Sequence, residues 1–567
     1  MLRHDRSRSP TKIGFRQSTR STAKSSNAMP LQWSMGRLAT SIRPPACLSS
    51  RQPLINSEAP AAPTAVVIAP MSRRIAVLLG CTALVTGATG LSAYAAPTSV
   101  VAQASWSMVD LSKDANGDGF IDGDGGVPAS GALTASPSIA MVGSGNHIAQ
   151  PNERLINGSL SWYLSAEGFP VTLNACGSQG STFNWSISNT GTGVVKQLAS
   201  KPLTAKTCKT RVTLPEGGFR FTLEVEEGKA SAVRAIDATV KNILMLSLGD
   251  SYASGEGNPR NVQAWIEQGG LFSSFRPYWD DAECHRSVHS APAQAALALE
   301  KSTPQTSVTF VDVTCSGATV AQGILGQQTG ELPSQLAAAR SIIGSSPVDL
   351  VTLSVGGNDV GFGSVISSCL VNANCPMVPA NTGLLRAFPT LHAGVTAQTA
   401  KLPSAYAAIS NCFTARSCAS PITLAPNAWV LPTLYPDITR NLAGGPCSYL
   451  TMAAQDFSWA RDALLNPTPP TSVGYATTNQ GVKSLPLPSG SLNQQIQATA
   501  NLGWHPVTGT WARSGESEQG HGVCAGKASW VFPAQLGAMA SGSFHPNPQG
   551  LREMASAITE AARIALR

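Results

Sequence analysis

Four short apolar runs, at residues 243–248, 307–313, 348–355 and 428–434, alternate with helix-like segments at 291–300, 331–343 and 546–566. An apolar run bounded by turn residues reads as a strand buried on both faces, and such strands separated by helices form a parallel sheet covered by helices. The alternation predicts an α/β fold from residue 242 to 567. Two pairs of close cysteines and many prolines lie between 366 and 447, which predicts a disulfide-pinned insertion there.

Upstream, from about 141 to 240, the texture changes to short alternating segments, among them Ser159 to Leu164, Phe183 to Ile187, Thr210 to Leu214 and Phe219 to Val225. Turn clusters such as Pro215-Glu216-Gly217-Gly218 separate them, and this spacing predicts a small antiparallel β-sandwich. Phe183, Trp185 and Ile187 fall on one strand face, expected to be a core face. The region resembles Ig-like or PKD-like modules, for which a spacer or substrate-docking role is expected.

Residues 96–140 are rich in Ser, Ala and Gly and read as a linker. Within it Asp114, Asn116 and Asp118 occupy positions 1, 3 and 5 of a calcium-loop pattern, with Gly119 at the turn position. Phe120 would lend its carbonyl and Asp122 falls at position 9, but position 12 is Gly125 rather than the bidentate Glu. The competing reading is an acidic, Gly-rich turn. A structural calcium here would bind weakly.

The net charge of +7 belongs to one end of the chain. Residues 1–95 carry 12 Lys and Arg against 2 acids, leaving 27 against 30 for the remainder, so the body is weakly acidic. No nucleic-acid partner is expected. Arg73-Arg74, the apolar run Ile75 to Leu91 and the Ala93-Tyr94-Ala95 site have the order of a secretory signal, about 71–95, with cleavage near Ala95. Residues 1–70 are expected to be an over-extended gene start; the competing reading is a transit peptide with 75–91 as a membrane anchor. Ten cysteines remain beyond the leader, without any C-x-x-C spacing, and read as a disulfide framework. Cys369 with Cys375 and Cys412 with Cys418 would close small loops, and Cys176 with Cys208 would lie within one domain. Spacing alone leaves the connectivity open.

Chemistry concentrates where the apolar runs end. Leu246-Ser247-Leu248 passes directly into Gly249-Asp250-Ser251-Tyr252, then into a small-residue segment. Ligands in α/β folds sit at the C-terminal ends of parallel strands, so Ser251 can expose its Oγ there. The bland alternative is Ser251 as an ordinary helix cap. The second run ends at Thr314-Cys315-Ser316-Gly317, and the third leads into Gly356-Gly357-Asn358-Asp359. The last helix-like segment is preceded by Ser543-Phe544-His545.

Taken in order, these four blocks resemble the SGNH (GDSL-like) hydrolase family, and the cysteine layout resembles its secreted, disulfide-rich actinobacterial-type esterases and lipases. The resemblance covers about 242–567 and implies a flavodoxin-like three-layer α/β domain with a parallel sheet. It implies Ser251 as nucleophile, His545 as general base and then acid, and an oxyanion hole from the Ser251 and Gly317 N–H groups and the Asn358 amide. It further implies the pairs Cys284–Cys315, Cys369–Cys375 and Cys447–Cys524. Many members carry Asp three residues before the histidine; here Gly542 stands there. Its carbonyl is therefore expected to accept from Nδ1 of His545, and Gly542→Ala to preserve most activity. Asp250 and Asp359 are expected to order their turns, and His285, His289, His505 and His521 to be surface or structural.

The implied activity is secreted hydrolysis of carboxylic esters, such as acylglycerols, phospholipids or acylated glycans, without a catalytic cofactor. The implied protein is a monomer that touches a lipid surface at most transiently. The rival from another class is a secreted binding or adhesion protein with a silent hydrolase scaffold.

Overall fold

The computed structural model describes residues 99–108, 114, 120–121, 155–156, 159–160, 168–268, 275–328, 332–381, 383–414, 417–477, 481–511 and 520–566. Residues 1–95, expected to be a leader, lie outside them, as do Asn116, Asp118 and Asp122 of the expected calcium loop.

The first strands are β1 (Ser105–Met108), β2 (Phe169–Asn174), β3 (Thr182–Asn189), β4 (Val195–Gln197), β5 (Lys209–Leu214), β6 (Gly217–Glu227) and β7 (Ala230–Val240). They form two antiparallel sheets, β1-β2-β5 and β7-β6-β3-β4, the second also holding the short strand Lys201–Pro202 on β3. Alternation explains their shared core. Phe183, Trp185 and Ile187 of β3 and Phe219, Phe221, Leu223 and Val225 of β6 are buried together with Val171 and Leu173 of β2. Cys176 and Cys208 are joined beside it. One expectation needs correction: β1 lies in residues read as linker. Ser105 and Ser107 hide a period-two pattern in which Met108 is buried and Trp106 packs edge-on to Phe221.

A single residue, Lys241, separates β7 from β8 (Asn242–Gly249). β8, β9 (Ser307–Asp312), β10 (Val348–Ser354) and β11 (Leu424–Pro432) make an all-parallel sheet in the order β9-β8-β10-β11. Every residue of β8, β9 and β10 is buried, which is why these segments read as continuous apolar runs. The junction is tied on both sides. The Lys241 ammonium pairs with Asp349 at 2.5 Å, the Asp349 carboxylate also accepts from the Leu244 amide, and Glu216 accepts from the Asn242 amide.

Helices α1 (Ala291–Glu300), α2 (Gln335–Ile343) and α3 (Pro548–Ala565) begin at Ser290, Ser334 and Asn547, whose side chains accept from the first free amides. Helix α3 buries Leu551, Met554, Ala555, Ile558 and Ala562, one stripe of a 3.6-residue period. It packs against α1 and β11. The insertion after β10 carries Cys369–Cys375 and Cys412–Cys418, and Cys447–Cys524 ties a later loop to the approach of the last helix. A hairpin, Ser472–Thr477 with Gly481–Pro486, was not foreseen from the sequence. Among the described residues, no helix is long and apolar enough to cross a membrane.

Candidate active site

Strand register brings the chemistry to one rim. Ser247 of β8 lies opposite Asp312 of β9, and Gly249 lies opposite Ser354 of β10, so the loops that follow the three strands leave the sheet side by side. They are cross-bonded at once. The Asp250 amide donates to the Ser354 carbonyl at 2.8 Å, and the Cys315 amide donates to the Gly249 carbonyl at 3.0 Å. The buried Gln335 amide clamps Gly249 from the other side, accepting from its N–H and donating to its carbonyl, both at 2.8 Å.

Ser251 opens a one-turn helix, Ser251–Ser254, and is 9% exposed. Asp250 caps it by accepting from the Tyr252 amide at 3.0 Å. The second Asp250 oxygen accepts from the Tyr435 phenol at 2.5 Å, and that phenol accepts from the Gly357 amide at 2.9 Å. Burial drives the Asp250 pKa up to about 7, against the pull of the Tyr435 and Tyr252 hydrogen bonds. Asp250 therefore orders two loops, the nucleophile turn and the one carrying Asn358.

His545 stands with Nε2 2.8 Å from the Oγ of Ser251. Its Nδ1 is 3.1 Å from the Ser543 carbonyl oxygen. A carbonyl can only accept, so Nδ1 carries the hydrogen and Nε2 presents its lone pair to the serine. This corrects the expectation about Gly542, whose carbonyl instead accepts from the backbone N–H of His545 at 3.1 Å. The cause is the backbone of Phe544, held at φ 61, a left-handed value costly for a bulky residue. Bonds on both sides hold it: the Phe544 amide donates to the Phe532 carbonyl at 3.0 Å, and the Tyr252 phenol donates to the Phe544 carbonyl at 2.9 Å. Burial pushes the His545 pKa below the ordinary histidine value, with the Glu256 charge and the Ser543 carbonyl opposing.

The groups expected to be oxyanion donors lie on the loops that follow the three strands. Gly317 is exposed with φ +82, and space around the position of a side chain there is open. The left-handed turn, rather than crowding, is what calls for glycine. The N–H groups of Ser251 and Gly317 have no hydrogen-bond acceptor among the described residues. Asn358 donates from Nδ2 to the Ala318 carbonyl at 3.0 Å, which fixes the amide plane beside Gly317. Asp359 accepts from the Val320 amide at 3.0 Å and so ties the same two loops; burial raises its pKa to about 6. The Cys284–Cys315 disulfide, with the Ser316 amide donating to the Cys284 carbonyl at 3.0 Å, anchors the Gly317 turn.

A feature missed in the sequence is how the histidine strap is held. Besides the Ser251–His545 contact, residues 541–546 are tied to the nucleophile segment at several points. Ser541 Oγ donates to Glu256 Oε1 at 2.7 Å, Gly542 lies flat on Gly257, Phe544 receives Tyr252, and Asn258 Nδ2 donates to the Pro546 carbonyl at 2.8 Å. A β-carbon on Gly542 would sit 2.6 Å from the Gly257 Cα. Glu256, 1% exposed, also receives Nδ1 of His285 at 2.7 Å. His285 was expected to be surface or merely structural; it is half-buried, stacked on Trp279 at 4.6 Å, and bonded to an anion beside the site. The only sequence signal was an acidic residue between two glycines, Gly255-Glu256-Gly257, just after the nucleophile. The other histidines fit the plainer reading: His289 is partly buried and stacks on Phe120, His505 stacks on Trp429 and His521 on Trp530.

Of the calcium-loop residues, Asp114 and Phe120 are described. The Asp114 carboxylate pairs with the Lys301 ammonium, and the Phe120 ring stacks on His289 at 4.0 Å. Among the described residues, no group of three or more His, Cys, Asp or Glu is placed to hold a metal ion.

No protein-family model matches the chain, and no curated protein matches it. Among solved structures, the chain is similar to an extracellular lipase from Streptomyces rimosus, at 19% identity over 57% of this chain and 99% of that one, with a TM-score of 0.33. A phospholipase A1 from Streptomyces albidoflavus shows 19% identity over 56% of this chain and 98% of its own, with a TM-score of 0.31. A carbohydrate acetylesterase family member from Sinorhizobium meliloti shows 11% identity, 57% and 99% coverage, and a TM-score of 0.26.

Proposed function

We propose that the chain is a secreted serine esterase of the SGNH type that hydrolyses carboxylic esters through an acyl-enzyme. The observation that carries this reading is the 2.8 Å contact between Nε2 of His545 and Oγ of Ser251, with Nδ1 engaged by a carbonyl. Serine at its free pKa is a poor nucleophile, and a base within hydrogen-bond reach is what activates it.

In the acylation step Ser251 Oγ bonds to the ester carbon as its proton passes to Nε2 of His545. The carbonyl π pair moves onto the oxygen, where the Ser251 and Gly317 N–H groups and the Asn358 amide receive it. Collapse expels the alkoxide, which takes the proton from Nε2. Water then repeats the sequence to release the acid and restore Ser251. The machinery is a Ser–His dyad oriented by the Ser543 carbonyl.

Acylglycerols, phospholipids and acylated glycans are the substrate classes proposed, with the protein working as a monomer. Secretion is supported by the five disulfides among the described residues, since such bonds persist in oxidising compartments. The antiparallel region is read as an Ig-like or PKD-like module ahead of the hydrolase. A structural calcium at Asp114 stays a separate proposal, since a cation there would have to displace Lys301.

Hydrolysis of a short-chain p-nitrophenyl ester by the full chain, lost in Ser251→Ala and in His545→Ala, is the expected result. A correctly folded wild type without turnover on acetylated sugars, medium-chain esters or phospholipids would favour the silent-scaffold reading instead.

A further inference from the structure

A Ser–His dyad oriented by a neutral carbonyl leaves one charge unanswered. When His545 takes the Ser251 proton it becomes an imidazolium in a place that disfavours cations, since burial already lowers its pKa. Serine hydrolase triads meet this charge with a carboxylate on the far ring nitrogen. Here that nitrogen faces the Ser543 carbonyl.

A carboxylate is nonetheless built in close by. Glu256 lies five residues after the nucleophile, with its side chain 1% exposed. One oxygen accepts from Ser541, on the strap four residues before His545, and the other faces Nδ1 of His285, each at 2.7 Å. The adjoining Gly257 packs backbone to backbone on Gly542, so carboxylate and strap cannot drift apart. A buried acid held this way is kept charged by its donors.

Resting on the esterase reading, we propose that Glu256 is a positioning residue whose fixed negative charge stabilises the imidazolium of His545 during acyl transfer. The anion thus comes from the nucleophile's own turn rather than from the residue three places before the histidine. No bond to the substrate is involved; the proton moves from Ser251 Oγ to Nε2 and on to the leaving alkoxide, and Glu256 remains ionised throughout. Burial alone would raise the Glu256 pKa, but the His285 hydrogen bond and the neighbouring His545 and His285 charges bring it down to about 2. The groups that bear on the pair are His285 and Asp281 from the loop before α1, Ser541 and His545 from the strap, and the Tyr252 ring, 5.0 Å from that of His545.

The test is the pKa of His545 itself, read by NMR titration of the full chain and assigned by its loss in His545→Gln, alongside kcat and KM. Glu256→Gln keeps an acceptor for Ser541 and removes the charge. It is expected to lower the His545 pKa by roughly one unit and kcat about tenfold, with KM nearly constant. His285→Asn supplies a second variant. Asn tolerates the left-handed backbone found at position 285, φ 49, keeps a neutral donor for Glu256 and removes the competing cation. It is expected to raise the His545 pKa. Opposite signs identify a charge effect, whereas a packing role would move both the same way. The proposal is overturned if Glu256→Gln leaves the His545 pKa and kcat unchanged, or if both variants shift it in one direction. A wild type without ester turnover whose His545 pKa still falls in Glu256→Gln rejects the esterase reading and supports the charge pairing.

Discussion

The phenol of Tyr252 donates to the carbonyl of Phe544 at 2.9 Å, so the residue after Ser251 holds the residue before His545. This bond supports a left-handed Phe544, and that conformation aims the His545 ring at Ser251. Tyr252→Phe should therefore leave a buried carbonyl without its donor, at a cost of about 1–3 kcal/mol. We expect a lower melting temperature and a kcat reduced on the order of tenfold with little change in KM. A variant with unaltered kcat would show that the strap holds its position without this bond.

Gly542→Ala reverses the expectation drawn from sequence. Its β-carbon would lie 2.6 Å from the Gly257 Cα, so the strap must lift and the Ser251–His545 contact lengthen. A loss of kcat of about 100-fold or more is predicted for a displacement of this kind. Retention of wild-type turnover, with a folded protein by circular dichroism, would contradict the close approach.

Asn358→Ala removes one of the proposed oxyanion donors and also frees the Ala318 carbonyl. Loss of a comparable donor reduces kcat by about 100- to 1,000-fold. Since the charge it meets exists only in the transition state, KM should stay within a few-fold. A rise in KM at constant kcat would assign Asn358 to ground-state binding.

Dependence on pH follows from His545. Burial lowers its pKa, so the neutral base persists below the ordinary histidine value, and the acidic limb of kcat/KM should have its midpoint below about 6.5. The same shift bears on stability. A histidine depressed in the folded state contributes stability above its unfolded value, which is lost as pH falls toward and through the folded one. Initial rates on a neutral ester between pH 4 and 9, about the range histidine titration requires, supply the check; a midpoint above 7 would count against the buried neutral base.

Breaking the Cys284–Cys315 pair, which closes a separation of 31 residues, should cost roughly 3–4 kcal/mol by chain entropy. Cys284→Ser with Cys315→Ser should lower kcat as well as the melting temperature, because the Gly317 turn is anchored there. Loss of stability with kcat intact would confine the bond to a structural role.

The parallel strands and the order of the site blocks were legible because buried strands concentrate apolar residues and end abruptly at Gly, Ser and Asn. Ser251, Gly317, Asn358 and His545 each stand just past such an end or before a helix, and the structure brings them to one rim. The orienting carbonyl was not legible, because it depends on a left-handed phenylalanine, and residue identity argues against that conformation at Phe544. Glu256 was missed for another reason. Its partner Ser541 is 285 positions away, and nothing local distinguishes a buried acid from a solvated turn. Strand β1 escaped notice because serines occupy its outward positions.

Lys241 has a mechanical consequence. A hinge needs consecutive residues free to change their backbone angles, and here one residue separates two strands while its side chain is held by Asp349. Swinging the antiparallel sheets would also pull Glu216 from the Asn242 amide. The N-terminal sheets are therefore joined stiffly to the parallel sheet rather than tethered to it. A partner bound to those sheets would thus fix the orientation of the Ser251 rim, not merely its distance from that partner.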